Sequence, residues 1–194
     1  MKKETKKQLL IGAALVLELL FLLLYLNGRI DRLLDSDMSS EMILGQLLAR
    51  NNGILSDQWY YSTELRVLNT QLIYALFFRL SSNWHFVRMA STLVLWCVLI
   101  ASYGVLCRVM GCKKSFGVTA LLLAAPVSES YFRFVLAGVY YVPHLAIAFA
   151  ALALNEAYFK AKPDRKKFWL VVSVLLALVA GLGGPREILS LIHI

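Results

Sequence analysis

From Gln8 to Leu26 the chain runs for about 19 residues with one ionisable side chain, Glu18. A hydrocarbon layer of ~30 Å takes ~20 helical residues to cross, so this run reads as a membrane span. No small-residue cleavage site follows it, which points to an uncleaved first helix and not to a signal peptide. The pattern recurs over Trp84 to Cys107, Phe116 to about Tyr131, Phe134 to Leu154 and Phe168 to Leu182, although the third stretch is uninterrupted only to Val127. With 59% hydrophobic and 16% charged residues and a mean hydropathy of +0.66, 194 residues cannot hide their apolar surface in one soluble core. The expected fold is an all-α polytopic bundle of about five spans, with a long first outer loop, 27–83, that carries amphipathic surface helices.

The net charge of +8 raises the question of a nucleic-acid partner, and the placement of the basic residues answers it. Lys2, Lys3, Lys6 and Lys7 precede the first span, Arg108, Lys113 and Lys114 follow the second, and Lys160, Lys162, Arg165, Lys166 and Lys167 separate the fourth from the fifth. If the chain crosses at every span, all of these fall on one side, as membrane topology requires and as nucleic-acid binding does not. The positive-inside rule then makes the amino terminus cytoplasmic and the first loop extracytoplasmic. Cys97, Cys107 and Cys112 are an odd set in or beside the second span, and predict neither a disulfide framework nor a metal site.

A loop of about 57 residues is long for a connection and is expected to be structured. It opens with Asp35-Ser36-Asp37-Met38-Ser39-Ser40-Glu41. Asp35 or Ser36 can cap a helix running to about Ala49, on which Asp37 and Glu41 share a face, and Asn51-Asn52-Gly53 ends it with Gly53 suited to a left-handed turn. Trp59-Tyr60-Tyr61 reads as a headgroup-level aromatic group. Thr63 to Leu80 predicts a second helix lying along the membrane surface.

Close carboxylates such as Asp35, Asp37 and Glu41 can act as a general base or ligate a hard cation, and they equally suit a solvated helix start that favours the dipole. His85 and Arg88 lie at the outer end of the second span; Glu129 and Arg133, an i,i+4 pair if helical, lie between the third and fourth. Arg and His hold phosphate oxygens well, and they also snorkel and form surface salt bridges. Tyr140-Tyr141-Val142-Pro143-His144 sets an imidazole one turn into the membrane, beside a proline that frees a carbonyl. Glu18 sits mid-span, where a charge costs ~2.5–3.5 kcal/mol on insertion scales. Gly183-Gly184-Pro185-Arg186-Glu187 returns an Arg to the outer face on a glycine-rich turn. No Walker loop, dinucleotide fingerprint or zinc-ligand spacing occurs, so nucleotide hydrolysis has no support.

The basic start, the single span, Asp35-Ser36-Asp37 at the head of a long outer loop, and the helices carrying Trp59-Tyr60-Tyr61 and Thr63-Glu64-Leu65-Arg66 together resemble the amino-terminal half of a GT-C superfamily glycosyltransferase. The resemblance covers residues 1–188 and lies in arrangement more than in any single motif. It implies an enzyme that moves a sugar from a polyprenyl-phosphate donor to an acceptor hydroxyl on a cell-envelope glycan or lipid, at the outer face of a bacterial cell membrane, with no nucleic acid involved. It implies Asp37 as catalytic base, Asp35 as second choice and Glu41 as supporting carboxylate. Arg88, Arg133, His144 and Arg186 become candidates for holding the donor phosphate. A divalent cation, Mg or Mn, on Asp35 and Asp37 is used by some members and not by others. A transporter or lipid flippase would instead place ionisable groups near the midplane in repeated halves. A non-catalytic assembly subunit would use the outer loop for docking, and carboxylates turned away from the span ends would favour it. The last six residues, Leu189-Ser190-Leu191-Ile192-His193-Ile194, match the translated end of a transposase-based sequencing adapter, so 189–194 is expected to be an artefact ending the fragment of a longer protein.

Overall fold

The computed structural model describes residues 2–61, 65 and 67–183. Among them the order is α1 (Lys2–Asn27), α2 (Ser36–Asn51), α3 (Thr70–Phe78), α4 (Trp84–Met110), α5 (Phe116–Ala124), α6 (Glu129–Tyr131, continued as a π-helix over Phe132–Ala137), α7 (Val142–Lys160) and α8 (Pro163–Leu182), with no strand. Three helices, α1 over Thr5–Asn27, α4 and α7, are long and apolar enough to cross a membrane; the number is four if α5 and Glu129–Ala137, which meet at 87°, form one broken span. These apolar helices mark a membrane protein. On α1, Leu17, Phe21 and Leu24 are more than half exposed, the surface that lipid covers. Asp164, Arg165, Lys166 and Lys167 fill the first turns of α8, so its apolar part is only Phe168–Leu182.

Two prolines set where the later helices break, and both breaks correct the expected boundaries. The third apolar run was expected to continue to Tyr131, but α5 stops at Ala124 because Pro126 disfavours helical geometry at the residue before it; Ala125 is extended at φ −74°, ψ 136°. Ser128 then caps α6, accepting from the Tyr131 N–H at 3.1 Å, and the Tyr131 hydroxyl donates back to the Leu123 carbonyl that the break leaves open. The expected span from Phe134 is interrupted between Gly138 and Tyr141. Pro143 has no N–H to bond one turn back, and it occupies the first turn of α7, where that lack costs nothing. It starts a helix instead of kinking one, and His144 lies in the first turn.

The main core joins Leu22, Leu26 and Ile30 to Leu95, Trp96 and Leu99 of α4 and to Leu136, Val139 and Val142. The Trp96 indole donates to the Leu136 carbonyl at 2.9 Å, tying α4 to the π-helical turn. Side-chain contacts also fix which helix ends lie together. The Ile11 methyl lies 2.6 Å from where a Cβ on Gly117 would sit, and Lys160 Nζ donates to the Val109 carbonyl at 2.8 Å. The start of α1, the turn before α5 and the turn after α7 therefore form one end, rich in Lys and Arg. At the opposite end lie α2, α3 and the 138–141 turn, and the Leu65 N–H bonds the Leu182 carbonyl there at 3.0 Å.

Candidate functional site

Asp35 starts the site by capping α2: its backbone is extended at φ −104°, ψ −178°, and its Oδ1 accepts from the Met38 N–H at 2.9 Å. The helix closes on Asn52, in the left-handed region at φ 49°, one residue before the Gly53 expected to take that role. Asn tolerates this conformation because its short polar side chain bonds locally. The second loop helix is shorter than the expected span from Thr63 to Leu80. Asn69, extended at φ −145°, accepts from the Thr70 N–H at 2.8 Å and begins α3 there, while residues 63, 64 and 66 lie outside the described residues. Nor does α3 rest on its own as a surface helix. It packs into α2 so closely that a Cβ on Gly45 would come within 2.6 Å of Tyr74 Cβ and 3.0 Å of the Gln71 carbonyl oxygen. Trp59 and Tyr61 cover the same α2–α3 seam through Leu44, Leu48 and Ala75, whereas the Tyr60 ring is 89% exposed.

This packing separates the two carboxylates expected to share a face. Glu41 is turned under α3 and accepts from the Thr70 hydroxyl, with only 5% of its surface exposed, while Asp37 stays exposed. Asp35 is half-buried between them. On α4, Arg88 is 2% exposed; its Nη2 donates to Met38 Sδ at 2.8 Å, and its Nη1 is buried with no hydrogen-bond partner among the described residues. Its charge is felt by Tyr74, Asp35 and Asp31. One turn on, the Ser91 and Thr92 hydroxyls are fully buried and likewise unbonded.

Two tyrosines complete the cluster. Burial pushes the Tyr74 phenol above its ordinary value, Glu41 and Asp35 push it further, and Arg88 opposes them. Tyr140 is pushed up to about 12, first by burial and then by Asp35, Asp37, Tyr141 and Glu41, so its ring lies within the field of all three carboxylates. The turn presenting it is strained: Val139, β-branched and fully buried, sits at φ 55°. A Cβ on Gly138 would meet Met38 Cε at 2.8 Å, so the turn lies directly against the first turn of α2.

Asp35, Asp37 and Glu41 thus all act on Tyr140 in the 138–141 turn, and Asp35 also acts on Arg88 of α4. The remaining candidates are scattered. His85 is engaged elsewhere, its Nδ1 3.0 Å from Asp31 Oδ2 and its Nε2 3.1 Å from Asn27 Oδ1. Arg133 is exposed and forms no ion pair with Glu129, which corrects that expected link. The His144 ring lies tilted against Tyr141 at 5.7 Å, and Tyr141 in turn lies against Tyr140 at 5.1 Å. Arg186 and residues 189–194 lie outside the described residues. Among the described residues no three His, Cys, Asp or Glu side chains converge as metal ligands, and the Asp35 carboxylate is engaged as a cap. This donor set does not fit a divalent cation.

Tyr74, Thr70 and Met38 were not legible as site residues. Tyr74 reads as one more apolar position of an amphipathic helix, and nothing local marks it. Tyr140 could have been found, since it adjoins the Pro143-His144 pair. Compared with family models, curated proteins and solved structures, the chain matches none.

Proposed function

We propose that this chain is the amino-terminal part of a membrane glycosyltransferase that moves a sugar from a polyprenyl-phosphate donor to an acceptor hydroxyl outside the cytoplasm, in the manner of the GT-C superfamily it resembles. The observation that carries this reading is Arg88, a buried guanidinium with a free Nη1 next to the helix that carries Asp35 and Asp37. A cation removed from water needs an anion, and a phosphate oxygen is a fitting partner for guanidinium N–H groups.

In this scheme five crossings are made by α1, α4, the bent α5–α6 pair, α7 and α8. They leave the three basic segments on the cytoplasmic side, as the positive-inside rule requires, and set the acidic cluster at the outer face of a bacterial cell membrane. Asp37, exposed and one turn from Glu41, removes the proton as the acceptor oxygen attacks the anomeric carbon of the sugar. The new oxygen–carbon bond forms as the bond from carbon to phosphate oxygen breaks, and the departing polyprenyl phosphate keeps the electron pair beside Arg88. Glu41 supports the site by holding α2 to α3 through Thr70.

Binding of a short-chain polyprenyl phosphate to the purified protein tests the assignment. Arg88→Gln weakens it by ~2–5 kcal/mol, the usual loss when one partner of a buried charged contact is truncated. Unchanged affinity would remove the donor anchor. A transporter remains as a second reading on one observation, the buried Glu18 Oε2 in the apolar stretch of α1, which finds no hydrogen-bond partner among the described residues.

A further inference from the structure

At the basic end, far from the acidic cluster, a cavity of about 360 Å³ is lined by Ala101, Gly104, Val105, Cys107, Arg108, Lys113 and Phe116. Two features give it a chemical character. Arg108 and Lys113 are both exposed, neither forms an ion pair or side-chain hydrogen bond among the described residues, and no carboxylate among them lines the space between the two. Apart from the Cys107 thiol, the other walls are apolar: Ala101 and Val105 are exposed one turn apart on α4, and the Phe116 ring stacks on Tyr103 at 6.1 Å with 21° between planes. Nearby, by contrast, Lys160 is already engaged with Glu156 at 2.8 Å and with the Val109 carbonyl.

Two unpaired cations at the end of a membrane-length helix, with an apolar strip running from them along that helix toward its middle, match a molecule with an anionic head and a hydrocarbon tail. A free phosphate would use the cations and leave the strip uncovered; a neutral lipid would do the reverse. We propose that this cavity binds one anionic phospholipid, its phosphate between Arg108 and Lys113 and the upper part of an acyl chain along Ala101, Val105 and Phe116. The site is independent of the sugar-transfer reading. Attraction of this kind acts within a Debye length of the surface, so charge and depth must coincide, as they do where α4 ends at Met110.

The test is lipid retention by the purified chain, read by native mass spectrometry after reconstitution in phosphatidylcholine with or without phosphatidylglycerol. The wild type retains phosphatidylglycerol in preference to phosphatidylcholine, and inorganic phosphate does not displace it. The double variant Arg108→Gln/Lys113→Gln loses about tenfold of that retention. Lys114→Gln/Lys167→Gln, which removes the same charge from the same end outside the cavity, keeps it. Ala101→Trp, which fills the apolar strip and spares both cations, loses it as well and guards against misfolding of the charge variant. Equal retention by the wild type and the Arg108/Lys113 variant would overturn the site. Displacement by inorganic phosphate, or retention unaffected by Ala101→Trp, would overturn the lipid assignment in favour of a free anion.

Discussion

The two ends of the bundle handle positive charge in opposite ways. Where α1 begins, Arg108, Lys113, Arg165 and Lys167 lie exposed on the surface. At the other end Arg88 is buried, has sulfur as its one hydrogen-bond partner among the described residues, and stands among Tyr74, Asp35 and a strained turn. Surface cations follow from topology and cost little. A buried cation with an unmet donor and a β-branched residue at positive φ are both costly, and such costs concentrate where a site has to be held ready. This difference, more than the number of carboxylates, is why the proposed chemistry is assigned to the acidic end.

The comparison can be broken first at the helix seam that builds the acidic end. Gly45→Ala drives a methyl into Tyr74 Cβ and the Gln71 carbonyl, and should cost about 1–3 kcal/mol, lowering the melting temperature of the purified protein. Gly12→Ala in α1 meets nothing within 4 Å, and should instead gain about 0.5–1 kcal/mol from helix propensity. Equal effects of the two would mean that the α2–α3 contact is not close. A smaller loss is expected from Thr70→Val, which keeps the shape but removes the hydroxyl that bonds buried Glu41; about 1–2 kcal/mol is the scale, and Ser should restore most of it. An unchanged melting temperature would place Glu41 in contact with water.

Least disturbing is a pH titration. With the Tyr140 phenol raised to about 12, the unfolded chain, near the ordinary value of 10, loses this proton first, so stability is untouched below pH 10 and falls as pH rises toward 12. The difference in ultraviolet absorbance between wild type and Tyr140→Phe should titrate near 12, and Asp37→Asn should move the midpoint downward. A midpoint at 10 would separate Tyr140 from the carboxylates.

How far the sequence reveals this molecule depends on the range over which each feature is decided. Long apolar runs declare α1 and α4, and the Asp35 cap is decided by neighbours three residues away. Pro126 and Pro143 carried the information for the two breaks, but apolarity continuing through them made single spans look plausible. Glu41 and Asp37 share a helical face by spacing, yet which of them is covered is decided by α3, whose Thr70 is 29 residues beyond Glu41. Burial of Arg88 depends in the same way on Met38, 50 residues earlier, and no local pattern distinguishes it from a snorkelling arginine. Val139 shows no strain as a residue type; its left-handed conformation follows from the turn between the π-helix and Pro143.

The most direct test of the central claim is sugar transfer from a radiolabelled polyprenyl-phosphate donor in membranes that hold the protein. Asp37→Asn should abolish transfer while leaving abundance and membrane insertion unchanged, and Lys167→Gln at the other end should leave transfer as it is. Transfer retained by Asp37→Asn would move the base to Asp35, and transfer retained by the Asp35→Asn/Asp37→Asn double variant would contradict the assignment of the reaction to the acidic end.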